Sequence, residues 1–312
     1  MERRHVLVLA KVIVAGLLLA WLVRSGSLDF GALDIFFQHP ALMVANIVVF
    51  VGTQIIAAAR WRILLKVAGV PELGYQMIPL NVANGPKSKT LADVRVRQAI
   101  DLAIDRETLI KTVFNNEYIP GNQWISPTSY YYNAKLPVRK RDVTKARELL
   151  KQAGQPNLTF TLIVPPERDR QEAAQIIQAM LAEAGITMNI QTQENVTMLT
   201  NGRKGDFEAY FTFWSGRPDP DGNVFTHNTC KGAQNDSHYC NEEVDTLLTK
   251  ARQVPEPAER KKLYDRATEI LLRDVSRIHL WHRRVFTGYS ARITGFTPYP
   301  DGIIRLKGLK LN

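Results

Sequence analysis

The densest group of residues able to do chemistry lies between positions 214 and 240, which read WSGRPDPDGNVFTHNTCKGAQNDSHYC. Trp214 offers a flat apolar wall, Ser215 and Gly216 let backbone groups approach a ligand closely, and Asp219 or Asp221 supplies a charge able to pair with an amine. The same run also reads as an ordinary polar turn, because Asp-Pro-Asp-Gly is turn chemistry without any ligand. Farther along, His227-x-x-Cys230 and His238-x-Cys240 place four borderline-soft ligands within fourteen residues, a set able to hold Zn2+, although the second spacing is tighter than structural zinc sites usually use. His279 and His282 in HLWH are a poorer metal pair, since on a strand residues three apart point to opposite faces. No G-x-S-x-G, H-E-x-x-H, P-loop or Gly-rich dinucleotide turn occurs, and paired carboxylates occur only within the turn. No catalytic residue, resident metal or cofactor is expected, and the chain reads as a non-enzyme.

A frame must present these side chains. In GDFEAYFTFW at 205 to 214, Phe207, Ala209, Phe211 and Phe213 alternate with Glu208, Tyr210 and Thr212, which predicts one half-buried strand ending at Trp214. Ligands of open α/β folds bind outside the carboxyl ends of strands, so that end is where a ligand is expected. Leu158 to Val164 reads as a strand, Ala173, Ile176, Ile177, Met180, Leu181 and Ala184 as one helical face, and Ile186, Met188 and Ile190 as a second strand, giving a βαβ unit. Gly185 stands where a helix end favours a residue free to take positive φ. Asp105 is a candidate N-cap before Leu109, Val113 and Phe114. Ala146, Leu149, Leu150 and Ala153 trace another helix ending at Gly154. Two more helices are expected, one through Val244, Leu247, Leu248 and Ala251 behind Glu242 and Glu243, the next starting near Pro257.

Five ordered segments carry a family likeness: DVRVRQAIDLAIDRE at 93 to 107, DVTKARELLKQAG at 142 to 154, LAEAGITMNIQ at 181 to 191, GDFEAYFTFW at 205 to 214, and WSGRPDPDGN at 214 to 223. From about residue 77 to 312 the chain resembles the peptide-binding proteins of ABC importers, solute-binding family 5. That resemblance implies an α/β fold, the second lobe of a class II periplasmic-binding-protein-like architecture over residues 76–283. The tail at 284–312 would return to a first lobe that is missing here, leaving Ile303, Ile304, Leu306 and Leu309 without cover. It further implies hinged closure on a peptide or peptide-like solute and docking to ABC permease subunits in the inner membrane. One lobe alone buries little of a small ligand, so weak binding is expected.

The likeness also assigns roles. In dipeptide and oligopeptide binders the residue three after this Trp is typically an Asp that holds the ligand's amino group; here it is Arg217, which repels an ammonium. Either Asp219 takes the amine, or the solute carries an anionic group. Arg168, in PPERDRQ, roughly matches the family's carboxylate-binding position, and a solvated surface arginine is the competing reading. Many relatives carry a disulfide matching Cys230 and Cys240; such a short loop stabilises by roughly 2.5 to 3 kcal/mol and implies an oxidising compartment. A zinc module through Cys230 and Cys240 remains the alternative.

The first 75 residues differ in kind. Val6 to Val23 and Ala41 to Ala59 are apolar runs of 18 and 19 residues, near the length that crosses a bilayer. They predict an N-terminal transmembrane hairpin over 1–75, with spans at about 6–23 and 41–59; the first core is too long for a cleaved signal and no A-x-A site follows it. Lys11 within the first run is expected to snorkel to the headgroups. ARWRILLKVAGVPELGY at 59 to 75 resembles the start of flippase-like proteins related to lysylphosphatidylglycerol synthetase. Arg3 and Arg4 before the hairpin and Arg60, Arg62 and Lys66 after it favour cytoplasmic ends, whereas the peptide-binder resemblance implies the periplasm. A chimeric or mispredicted reading frame, or a membrane-anchored fragment without solute binding, would account for that conflict. The net charge of +10 is spread among many acids without a block of like charge, so no nucleic-acid partner is expected.

Overall fold

The structure, a computed structural model, describes residues 40–312. The first apolar run, and with it half of the expected hairpin, lies outside the described residues. In chain order the elements are helix α1 (Pro40–Leu64), strands β1 (Leu65–Pro71) and β2 (Tyr75–Pro79), helices α2 (Val94–Ala103) and α3 (Arg106–Phe114), and strand β3 (Ile119–Pro120). Helix α4 (Val143–Gln152), strand β4 (Thr159–Val164), helix α5 (Arg168–Ala182), strand β5 (Thr187–Thr192) and helix α6 (Asn195–Lys204) follow. Strands β6 (Ala209–Tyr210) and β7 (Thr212–Trp214), helices α7 (Asp221–Asn228), α8 (Glu242–Gln253) and α9 (Pro257–Asp274), and strands β8 (Arg277–His282), β9 (Arg284–Ser290), β10 (Ile293–Thr294) and β11 (Lys310–Leu311) complete the order.

The chain divides into two units. Of the first, which runs to Lys66 and includes Tyr289–Arg292, the described secondary structure is chiefly helix α1. Its segment Met43–Arg60 is long and apolar enough to cross a membrane and none of it is buried; Val48, Phe50 and Ile56 face outward. The second apolar run is therefore one continuous helix.

The second unit, Val67–Gly288 with Ile293–Asn312, holds a three-stranded sheet, a four-stranded sheet and the β10–β11 pair. The three-stranded sheet, in the order β5-β4-β6, is parallel and realises the βαβ reading: β4 pairs with β5 from Thr159↔Thr187 to Val164↔Thr192. Helix α5 buries Ala173, Ala174, Ile177, Met180 and Leu181 on the main core, following the apolar spacing of its sequence. Gly185 takes φ +82° just beyond that helix. Asp105 caps α3 by accepting the Thr108 N–H at 3.0 Å, and Asn241 caps α8 at the Glu243 and Val244 N–H groups. Such caps satisfy backbone donors that a helix start leaves unpaired.

The four-stranded sheet, in the order β3-β8-β2-β7, is antiparallel. It corrects one expectation, because residues 207 to 214 do not form a single strand. Ala209–Tyr210 pairs in parallel with β4, while Thr212–Trp214 pairs antiparallel with β2, and the chain changes sheet at Phe211. The Phe211 N–H still donates to Ile163 O at 2.8 Å. Core lies on both sides of this crossing, so Tyr210 and Thr212 are buried together with Phe207, Ala209 and Phe211, whereas Phe213 is 44% exposed. Simple alternation presumes one covered face, and here two sheets cover both. In the tail, Ile303, Ile304 and Leu306 are exposed and Leu309 is half-buried.

Candidate ligand-binding cavity

The chain leaves β7 at Trp214 through a loop whose shape is set by one buried side chain, Asn223. Its Oδ1 accepts the Trp214 indole N–H at 3.0 Å and the Arg217 backbone N–H at 2.6 Å, and its Nδ2 donates to Arg217 O at 2.9 Å. The Tyr75 hydroxyl, from the neighbouring strand, donates to Asn223 O at 2.9 Å. Gly216 takes φ +74°, and a Cβ there would stand 2.5 Å from Gly74 N and closer still to Leu73 C, so only glycine fits. The turn is thus a clamped platform that holds the indole at the strand end.

Beside the indole lies a cavity of about 450 Å3, within the usual size range of small-ligand pockets. Its lining includes Trp214, Ser215 and the exposed Phe213, with Asn195, Leu199 and Arg203 from α6 on one side. Tyr210, His227, Gln234, Asp236 and Arg277 line another part. β7 is an edge strand, with no further strand paired on its outer side among the described residues. A larger cavity of about 740 Å3 lies by Asp101, Arg106, Arg139 and Arg273. There the carboxylate of Asp101 is already engaged by both Arg106 and Arg139, and Arg139 also donates to Leu272 O at 2.6 Å. The smaller cavity is the candidate ligand site because it is bordered by Trp214 and Ser215 and keeps His227 Nε2 unpartnered among the described residues.

Electrostatics support that choice. His227 stacks edge-on against Trp214 at 4.5 Å, and burial with the nearby Arg277 charge pushes its pKa down to about 3, so the ring is neutral. Its Nδ1 lies 3.3 Å from Gln234 O and its Nε2 has no partner among the described residues. The Tyr210 hydroxyl donates to Asp236 Oδ2 at 2.7 Å, and burial followed by that carboxylate pushes its pKa far up, keeping the phenol protonated.

Of the residues singled out from the sequence, Trp214 and Ser215 line the cavity, and Gly216 and Arg217 form the platform edge. Arg217 stacks over the Trp214 ring at 4.9 Å and donates to Ser215 Oγ at 2.8 Å. Asp219 and Asp221 are not brought to the cavity. Asp219 accepts both Arg260 guanidinium bonds at 2.8 and 2.7 Å, which lowers its pKa, and Asp221 lies 3.3 Å from Arg252 while burial raises its own. Arg168 is also elsewhere: its side chain is 91% exposed and bonds Glu172 one helical turn on. Two residues later, Arg170 comes nearer, lying over the Phe213 ring at 5.1 Å and within 3.5 Å of Asn195 Oδ1. A register one face around the helix start separates the two, and sequence reading had no signal for it.

Cys230 and Cys240 form a disulfide, with Cα atoms 4.3 Å apart. The zinc alternative is corrected by this bond, which removes both thiolates; His227 turns to Trp214, and no group of three or more ligating side chains is placed to hold a metal among the described residues. Inside the closed loop, Asn235 donates to Thr229 O and Tyr239 O at 3.0 and 2.7 Å, which holds Gln234 and Asp236 against the cavity. His279 and His282 sit buried on β8, with the Nδ1 of His282 2.9 Å from Gly74 O, as structural residues. Sequence reading missed Asn223, Tyr210, Asp236, Arg203 and Arg277; only Asn223 carried a cue, as the last residue of the WSGRPDPDGN segment.

The cavity thus lies in an α/β unit, at the end of an edge strand. The model of the bacterial extracellular solute-binding proteins, family 5 Middle, matches residues 44–236, and the chain belongs to that family. The match runs through residues 59–75, the stretch read from the sequence as flippase-like, and gives that reading no support. Among curated proteins, the chain is 28% identical over 257 residues to the probable di/tripeptide-binding protein 5 of Pseudomonas aeruginosa, covering 79% of this chain and 48% of that protein. It is 27% identical over 243 residues to the dipeptide-binding protein of Escherichia coli, covering 75% and 45%. The solved structure of HbpA2 from Haemophilus parasuis is similar with a TM-score of 0.73 at 27% identity, covering 82% of this chain and 52% of that one. The periplasmic binding protein DppA from Helicobacter pylori, in complex with peptide STSA, gives 0.69 at 26%, covering 83% and 55%. The chain spans about half the length of the curated relatives it matches.

Proposed function

We propose that this chain is a peptide-binding component of an ABC importer, with the cavity beside Trp214 as one wall of the peptide site. The observation that carries the reading is the position of that cavity. It opens at the end of an edge strand, beside a clamped indole, in a chain whose curated relatives are named as dipeptide- and tripeptide-binding proteins. In this reading the free edge of β7 takes main-chain hydrogen bonds from an extended peptide, which gives broad tolerance, while the cavity takes a side chain or terminus. The role is binding and presentation to permease subunits, without catalysis.

We further propose that helix α1 sits in the inner membrane, alone or as part of the expected hairpin, and holds the second unit on the periplasmic side. Its outward-facing apolar surface is costly in water. The disulfide fits an oxidising compartment and weighs against the cytoplasmic placement that the flanking arginines and lysine favour.

The test is an NMR titration of the full chain in detergent micelles with dipeptides and tripeptides, following indole N–H resonances, with Trp214→Phe identifying the relevant one. A saturable shift of the Trp214 indole is expected, with weak affinity because one lobe buries only part of a small ligand. Absence of any saturable shift up to the solubility limit of the peptides would sink the reading. Resistance to carbonate extraction checks the membrane placement.

A further inference from the structure

Four arginines of the second unit are buried, and three of them have their charge or donors taken up. Arg106 pairs with Asp101 and Arg170 lies 3.6 Å from Glu167, while Arg97 donates to the carbonyls of Leu91, Ala92, Asp274 and Val275. Arg277 differs. It is 5% exposed and its Nη2 donates to His227 O at 2.8 Å and Gln234 O at 3.3 Å, two residues that line the cavity beside Trp214. Its Nε has no partner, and no carboxylate lies within ion-pair distance of it among the described residues. Carbonyl groups satisfy donors but leave the net charge in place, and an uncompensated buried charge is costly.

No other residue of the lining forms an ion pair with it directly among the described residues. Arg203 lines the same space and is exposed, and Arg217 stands beside it over the Trp214 ring; neither forms an ion pair among the described residues. The one carboxylate in the lining, Asp236, accepts the Tyr210 hydroxyl and forms no ion pair with Arg277, and Asp219 and Asp221 face Arg260 and Arg252 instead. His227 is neutral and offers an unpartnered Nε2.

Resting on the peptide-binding reading, we propose that this cavity selects a solute bearing a carboxylate beyond its backbone, such as a peptide with an acidic side chain, with Arg277 receiving it inside and Arg203 at the mouth. A peptide of this class brings a carboxylate that pairs with Arg277 directly. Asp236 then stands near enough to orient a donor on the same ligand, through the hydrogen-bonded Tyr210.

The test compares Ala-Glu with Ala-Gln, which differ in charge at nearly constant shape, by the Trp214 indole titration on the full chain. Ala-Glu is expected to bind at least about tenfold more tightly, the low end for a charge-assisted hydrogen bond. Arg277→Met should reduce that advantage to within about twofold, whatever it does to Ala-Gln affinity, a change of ratio that a purely structural role would not give. Equal affinities of the two dipeptides for the unsubstituted chain would overturn the charge selection and leave peptide binding standing. No shift with either would overturn both. A loss of both ligands in Arg277→Met with their ratio preserved would make Arg277 structural and also overturn the proposal. Should that variant fail to fold, Arg203→Gln at the exposed mouth decides, with a selective loss of Ala-Glu affinity expected and an unchanged ratio contradicting the proposal.

Discussion

The three-stranded sheet is built from strands close in sequence and covered by aliphatic side chains, whereas the four-stranded sheet joins residues 75–79, 212–214 and 277–282. Phe160, Leu162, Val164 and Met188 fill the first, while Gln76, Arg277, His279 and His282 are buried in the second. The first sheet has the character of a scaffold. The second carries buried polar groups, which cost stability, and one of them, Arg277, lines the cavity beside Trp214. Five perturbations sharpen or break that contrast.

Acid should act chiefly through the four-stranded sheet and the helix against it. Burial holds His282 down to about 4 and His227 down to about 3, and His279 also well below the ordinary value. Between about pH 6.5 and 4 the unfolded chain binds protons at these sites that the native chain does not, so stability falls as pH falls. From pH 7 to pH 5 the loss is roughly 4 kcal/mol for His227 and His282 together. Urea midpoints at the two pH values check this, and a flat profile would remove the contrast. Gly216→Ala should cost roughly 3 kcal/mol, from the positive φ and the approach to Leu73 and Gly74, in the same denaturation measurement.

Replacing Cys230 and Cys240 by serine should lower stability by about 2.5 to 3 kcal/mol. Asn223→Ala removes three hydrogen bonds from the Trp214 platform and is expected to cost about 1 to 3 kcal/mol, together with a measurable loss of peptide affinity. Arg168→Ala, on the scaffold side, should stay within about 0.5 kcal/mol of the parent and leave binding unchanged, because its ion pair with Glu172 is exposed. A large binding defect there would return Arg168 to the site.

The contrast also explains what the sequence revealed. Helix α5 and strands β4 and β5 were legible because apolar spacing and Gly185 act within a few residues. The break at Phe211 was not, because alternation cannot report that two sheets cover a strand from both sides. Trp214 and Ser215 could be read from a local motif, but Arg277 and Asp236 reach the cavity through strand pairing and a disulfide-closed loop, for which spacing along the chain gives no cue. Asp219 reads from the sequence as one candidate amine partner, and its pairing with Arg260, on a helix 41 residues away, has no local cue.

The most direct measurement is photocrosslinking of a diazirine-bearing dipeptide to the full chain, with the adducts mapped by mass spectrometry. The account predicts adducts on Leu199, Phe213 and Trp214, competed by unlabelled peptide. Competed adducts confined instead to the larger cavity near Leu102, Leu136 and Leu272 would contradict it.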